Sequence, residues 1–331
     1  MRWNGERMGI LMSDISLYIY TSSYVYTPVV SGAITLTTER AGTPGKMSFK
    51  VVKDSVINFH EGDKVTFSYG GSDMFCGYVF KKQRTSDGLI SVTVYDQLRY
   101  FKNKDTYSYS NLTATELINR IATDCGVFCG KLSDTGYAIP SRVESGVSLM
   151  DICQRAIDLT FDATGKLFAL YDECGALRLS NIEEMALDLL IHAGAAGDFD
   201  YTSSIDDETY NYIKLAYEDN DSGETVFHCA SDPELIKRWG KLQYYGKVET
   251  GEDGFALANS MLNIYGGKTR KLRISDVVGD VQVKAGCLLP VQMDLGDLDF
   301  NSFLMAEKVV HTFDHNMHTM DLTLVGGEFI A

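Results

Sequence analysis

One stretch changes its hydrophobic period partway along, and that change limits what the chain can build. It runs from Val147 to Asn181, VSLMDICQRAIDLTFDATGKLFALYDECGALRLSN. Ser148 is placed to cap a helix, Asp151 to return the bond, and Val147 and Ile152 to form a hydrophobic staple across the cap. Leu149, Ile152, Cys153, Ala156 and Ile157 then share one helical face. After Gly165 the period shortens: Leu167–Tyr171 is an apolar run, Asp172-Glu173-Cys174-Gly175 reads as a turn, and Ala176–Ser180 alternates. The spacing predicts a helix followed by a hairpin whose apolar face the helix must cover.

A second capped helix precedes it. Thr113 is the expected cap, Glu116 closes the box, and Leu112 with Leu117 makes the staple. Leu117, Ile118, Ile121, Ala122 and Cys125 form its stripe, and Gly126 is placed to end it. Leu117, Ile121, Ile152, Ile157 and Leu177 are the predicted core of this α+β unit, over residues 106–195.

On both sides the sequence turns to strands. Before the unit, Ala33–Thr37, Met47–Val51, Val65–Tyr69, Met74–Phe80 and Leu89–Tyr95 alternate between glycine-, proline- and aspartate-rich turns, which implies a barrel or sandwich over residues 1–105. After it, Tyr210–Tyr217 and Thr225–Cys229 read as strands. Asp232-Pro233 opens a short helix that Gly240 stops, Phe255–Tyr265 is a longer helix, and alternation resumes from Lys268. Residues 196–331 are therefore a second β domain with helical segments. A weak repeat links the two: FCGYVFKKQRTSDGLISVTVYD from Phe75 parallels FLMAEKVVHTFDHNMHTMDLTLVG from Phe303. The fold class is α+β, mainly β, with two β-barrel or sandwich domains flanking a small α+β insert.

Composition closes off several functions. A formal charge of −15 lacks the basic footprint of a nucleic-acid binder, so direct DNA contact is not expected. No apolar run reaches about 18 residues, the length a membrane span needs, and the first residues carry no signal-peptide pattern. The seven cysteines are odd in number and scattered among apolar runs, which favours free thiols. Nineteen tyrosines suit β surfaces and protein contacts.

No catalytic signature is present: no G-x-S-x-G, P-loop or H-E-x-x-H. Asp206, Asp207 and Glu208 suggest acid–base work on a glycan, but sequence neighbours cannot flank a bond from opposite sides, and a solvated linker explains them better. A cell-wall glycan-binding or glycan-hydrolysing module is the alternative function, since the insert's helices and hairpin resemble a small wall-binding domain. His311, His315 and His318 are weak metal candidates: with Asp314-His315 centring a turn, His311 and His318 would face each other across two strands, with no third ligand evident. Exposed hairpin histidines are the plainer reading. No cofactor is implied. The loop Arg40–Lys46 has the glycines of a phosphate cradle but no following helix, so Arg40, Thr43, Pro44 and Lys46 are read as a partner contact.

Several segments carry a family resemblance: GYVFKKQRTSDGLISVTVYDQLRYFKNKDTYSYSNLTATELI, DTGYAIPSRVE, TGKLFALYDECGALRLSNIEEM, DFDYTSSIDDETYNYIKLAYED, IKRWGKLQYYGKVE and MAEKVVHTFDHNMHTMDLTL. The chain resembles the baseplate hub proteins of contractile phage tails, of the XkdQ/YqbQ type found in PBSX-like prophages, over nearly everything after about residue 30. The resemblance implies a non-enzymatic structural protein with two tube-like domains flanking an inserted region. It also implies a homotrimeric ring between a sixfold tail tube and a trimeric spike, contacts with other baseplate proteins, and a place in a virion or tail-like particle assembled in the bacterial cytoplasm.

Overall fold

The computed structural model describes residues 15–192, 194, 197–206, 208–218, 224–248, 253–294, 299–315 and 317–326. The chain opens with β1 (Ile15–Tyr20), β2 (Val25–Tyr26), β3 (Ile34–Glu39), β4 (Lys46–Val52), β5 (Lys64–Tyr69), β6 (Ser72–Arg84) and β7 (Leu89–Tyr95). A 3-10 turn (Gln97–Lys102) leads into β8 (Lys104–Tyr109), α1 (Ala114–Asp124), β9 (Cys129–Leu132), β10 (Arg142–Ser148), α2 (Leu149–Thr164), β11 (Phe168–Asp172) and β12 (Leu177–Asn181). After a second 3-10 turn come β13 (Ile191–His192), β14 (Asp198–Ser204), β15 (Tyr212–Glu218), β16 (Thr225–Ser231), α3 (Pro233–Trp239), β17 (Gln243–Lys247) and α4 (Gly254–Tyr265). The chain closes with β18 (Thr269–Val278), β19 (Leu288–Asp294), β20 (Asp299–Asp314) and β21 (Met317–Gly326). It is a mainly β protein.

One thirteen-stranded sheet holds both β regions together. Its first half runs β3-β4-β7-β6-β5-β1 and its second half β14-β18-β21-β20-β19-β13. The order is the same if β3 is matched to β14, β4 to β18 and β5-β6-β7 to β19-β20-β21. The long middle strand of each meander carries a register shift at a similar place, Val79/Lys81 in β6 and Ala306/Lys308 in β20. Such a bulge bends a strand and strengthens its twist, which is what curling a sheet around a core requires. One difference lies at the end: β1 meets β5 antiparallel, whereas β13 meets β19 parallel. The repeat that the sequence carries weakly is thus a repeat of strand order.

Each half leaves the sheet once for an α+β excursion. The first, β8 to β12, buries α1 and α2 against β11 and β12, with Leu117, Ile121, Ile152, Ile157 and Leu177 in one apolar cluster. Thr113 and Glu116 form a complete capping box on α1. On α2 the Ser148 hydroxyl accepts from the Asp151 amide (3.1 Å) and donates to the Asp151 carboxylate (2.6 Å). Asp151 therefore answers the hydroxyl rather than the backbone of Ser148, which is also the last residue of the β10 ladder, opposite Lys104. Gly165 ends α2 in the left-handed region (φ 71°), the conformation a Cβ disfavours.

The second excursion was not legible as a separate layer. It lies between β14 and β18, where β16-β15-β17 form a mixed three-stranded sheet. Ile213, Leu215, Ala230, Ala258 and Met261 fill the space between this sheet and α4. Asn211, fully buried, ties its crossover: its amide donates to Gly240 O (2.8 Å) and its Oδ1 accepts from Leu242 N–H (2.8 Å). The two excursions meet at α2 and α4, where Tyr265 donates to Asp162 Oδ1 (2.8 Å) and Ser260 donates to Asp162 O (2.8 Å). The expected domain boundary at 195/196 falls outside the described residues.

Candidate functional site

The place where the two β halves join is built on β20. Its first part, Asp299–Met305, pairs with β19; its second, Lys308–Phe313, pairs on the same side with β3. The change of partner falls at Ala306–Glu307. Ala306 N–H still donates to Cys287 O (2.8 Å), while Glu307 O already accepts from Arg40 N–H (2.9 Å). The Arg40 guanidinium bonds the Glu307 carboxylate from Nε at 2.8 Å, and Lys308 pairs with Glu39 at 2.8 Å. Only the Arg40 side chain is largely buried, so its pair counts for more than one on an open surface, while the Lys308–Glu39 pair stays near solvent. The Lys308 ammonium is the first cause that holds the Glu39 carboxyl below its usual range.

One strand therefore serves two cores. Leu304, Ala306 and Val309 belong to the core of the second half. Phe313 packs into the first half, edge-on to Phe67 with ring centroids 4.8 Å apart.

The loop Arg40–Lys46 borders this seam, and the structure sorts its four candidate contact residues. Arg40 is turned inward to Glu307, and its Nη1 is buried without a hydrogen-bond partner among the described residues. Pro44 is buried; Thr43 and Lys46 are exposed. Gly45 N–H donates to the buried Asp96 carboxylate (2.7 Å), and a Cβ on Gly45 would stand 2.4 Å from that oxygen. The loop amide is thus committed to a carboxylate and offers no phosphate cradle. Burial, with Asp172 nearby, pushes the Asp96 carboxyl well above its usual range. Thr43, Pro44 and Lys46 line an open cleft of about 380 Å³ together with Thr37, Glu39, Tyr95, Arg99 and Lys102.

Two of the three histidines meet and the third stands apart. His311 and His318 lie diagonally, His311 opposite Met320 and His318 opposite Phe313. His311 is buried rather than exposed, which overturns the plain surface reading. Its Nε2 faces Val283 O at 2.9 Å and must donate there; its Nδ1 therefore accepts from His318 Nε2, also at 2.9 Å. Burial first, and His318 second, bring the His311 imidazolium down to about 4. His315 sits exposed at the hairpin turn beside Asp314, and no group of three metal-ligating side chains exists among the described residues. Of the three neighbouring carboxylates, Asp207 lies outside the described residues, Asp206 N–H donates to Ser204 Oγ, and Glu208 sits at φ 50°. All seven cysteines are free. No helix is long and apolar enough to cross a membrane among the described residues.

The fold that this seam holds together is that of phage tail proteins. It superposes on the 43 kDa tail protein of prophage MuSo2 from Shewanella oneidensis with a TM-score of 0.69 at 14% identity, covering 96% of this chain and 100% of that one. A family model described as YQBQ-like matches residues 34–325, and the chain belongs to that family. It is 28% identical over 310 residues to the uncharacterized protein YqbQ of Bacillus subtilis (strain 168), covering 90% of this chain and 92% of that protein. Identity to the phage-like element PBSX protein XkdQ of the same organism is also 28%, over 308 residues, covering 90% of this chain and 93% of that protein.

Proposed function

We propose that this chain is the baseplate hub of a contractile phage tail or tail-like particle, a structural protein rather than an enzyme. Three copies close a ring that adapts a sixfold tail tube above to a trimeric spike below. The observation that carries the reading is the repeated strand order, joined within one chain by β3 and β20. A ring wall built from one such half per position would need six chains. A chain holding two halves side by side occupies two positions, so three chains complete the circuit. The outer strands of neighbouring chains then meet head to tail, the kind of contact that closes a ring. Its neighbours in this reading are the tube protein, the spike and other baseplate proteins, and it joins the particle in the host cytoplasm. The loop residues Thr43 and Lys46, exposed on the cleft beside the seam, are proposed contacts to one of them.

Mass photometry of the purified chain, alone and with its spike partner, tests the count. A trimer supports the reading, and so does a particle reconstruction with three copies per ring. A stable hexamer, or six copies per ring, overturns it.

A further inference from the structure

The three-stranded sheet of the second excursion has, among the described residues, one face under α4 and one face open. Among the described residues α4 is the only element outside the sheet that packs extensively against these strands. In a sheet with one solvated face, alternation normally makes that face polar. Here the register places Tyr212 and Lys214 of β15, Phe227 and Cys229 of β16, and Tyr245 and Lys247 of β17 on the open side, alternating with Ile213 and Leu215 toward α4. Phe227 is 48% exposed and Tyr245 is 56% exposed.

The lysines are arranged on the rings. Lys241 Nζ stands 3.4 Å from the centre of the Tyr212 ring and Lys214 Nζ 3.8 Å from that of Phe227. Lys247 ion-pairs with Glu218 at 2.9 Å, while no carboxylate pairs with Lys214 or Lys241 among the described residues. On a chain of net −15 this is a local cationic face backed by aromatic rings. Exposed tyrosine and phenylalanine are enriched at protein interfaces, and charges beside them suit the polar rim of such a contact.

We propose that this face docks an acidic segment of another protein: carboxylates meet Lys214 and Lys241, and an apolar side chain lies against Tyr245 and Phe227. Charge complementarity selects the occupant. A nucleic-acid strand would need free ring faces on which to stack its bases, and two of the three rings already carry an ammonium. A long polyanion would also extend beyond this face along a chain of net −15. A short segment stays inside it, since repulsion from charges farther than about 10 Å is screened at ordinary salt. The inference does not depend on the ring count above, because the face belongs to each chain separately.

The test uses the full chain and a short labelled peptide of alternating glutamate and phenylalanine, with the glutamine version and an oligothymidylate as comparisons. The expected result is saturable binding of the acidic peptide that weakens with salt, with the glutamine version and the oligothymidylate both weaker. The triple variant Lys214→Gln, Lys241→Gln, Lys247→Gln should lower affinity roughly tenfold, as loss of complementary charge at a small interface does. Tyr245→Ala, a change at an exposed side chain, should lower it without altering the thermal transition, which covers the case in which the triple variant folds poorly. Undiminished binding in both variants overturns the proposal. So does tighter binding of the oligothymidylate, which would make the face a nucleic-acid platform. Loss of self-association in Tyr245→Ala, with no peptide binding by the parent chain, would assign the face to a second copy and also overturn it.

Discussion

The two α+β excursions are built from the same kinds of parts and put to different uses. The first wraps two capped helices around its hairpin, and its apolar cluster reaches back to Leu98 and Phe101 just below the β sheet. The second has a small core under a single helix, an α3 with no buried residue, and an open face set with aromatic rings. A large buried cluster fixes a scaffold, whereas a sheet face carrying exposed rings is a surface that a partner can complete. On the proposal above, the first excursion carries stability and the second presents a face to a partner, with the α2–α4 contacts joining the two.

The largest expected effect is in the first. Ile152→Asp places a carboxylate in a fully buried apolar site and should cost about 4 kcal/mol or more, unfolding the excursion. Circular dichroism and a thermal scan identical to the parent would sink the scaffold assignment. Asn211→Ala in the second excursion removes both side-chain bonds of the crossover and should cost about 2 kcal/mol. Hydrogen exchange should show the loss confined to β15, β17 and α3, with α1 and α2 still protected; a uniform loss would mean the excursions fold as one.

A subtler effect sits in the seam. Burial first, with Asp158 and Glu208 adding to it, raises the Asp162 carboxyl above its usual range, while the Tyr265 bond pulls the other way. A carboxyl raised in the folded state binds its proton more tightly there than in the unfolded chain, so its contribution is present at low pH and lost as pH rises through the folded value. Asp162→Asn keeps the acceptor for Tyr265 and removes that loss. The variant should melt at or above the parent temperature at neutral pH, and the gap should close on acidification. A variant that melts lower at pH 7 would show that the charge itself holds the seam. The smallest effect is expected on the open face: Tyr245→Ser should move the transition within about 0.5 kcal/mol, as exposed substitutions do.

How much of this was readable depended on the reach of each signal. Caps, staples and the helix-to-hairpin change around Ser148 and Gly165 act over a few residues, and the sequence states them directly. The strand-rich flanks were legible as strands, but alternation marks a strand without naming its partner. Nothing near Lys308 announces that its ladder neighbour is Glu39. For the same reason β15 and β16 read as more of the second β domain, and β17, lying between two helices, was not legible as a strand at all, although it runs parallel to β15 and completes a layer apart. His311 looked like a surface histidine because the residue that fixes its tautomer, Val283, is 28 positions away. Arg40 looked free for a partner because its carboxylate lies 267 positions on.

That distance has a consequence for how the molecule is made. As the chain leaves the ribosome, β1 to β7 emerge first, with the outer edge of β3 unpaired and no Phe313 to lie against Phe67. Contacts of such sequence separation form late and slow folding, because the loop they close must be ordered first. The first half must therefore wait, nearly complete, through the synthesis of both excursions until β20 arrives to close it. Chains truncated before β20 should expose that edge, and an unpaired edge is a template for pairing with another chain. Synthesis through β20 is the step that closes this edge of the first half.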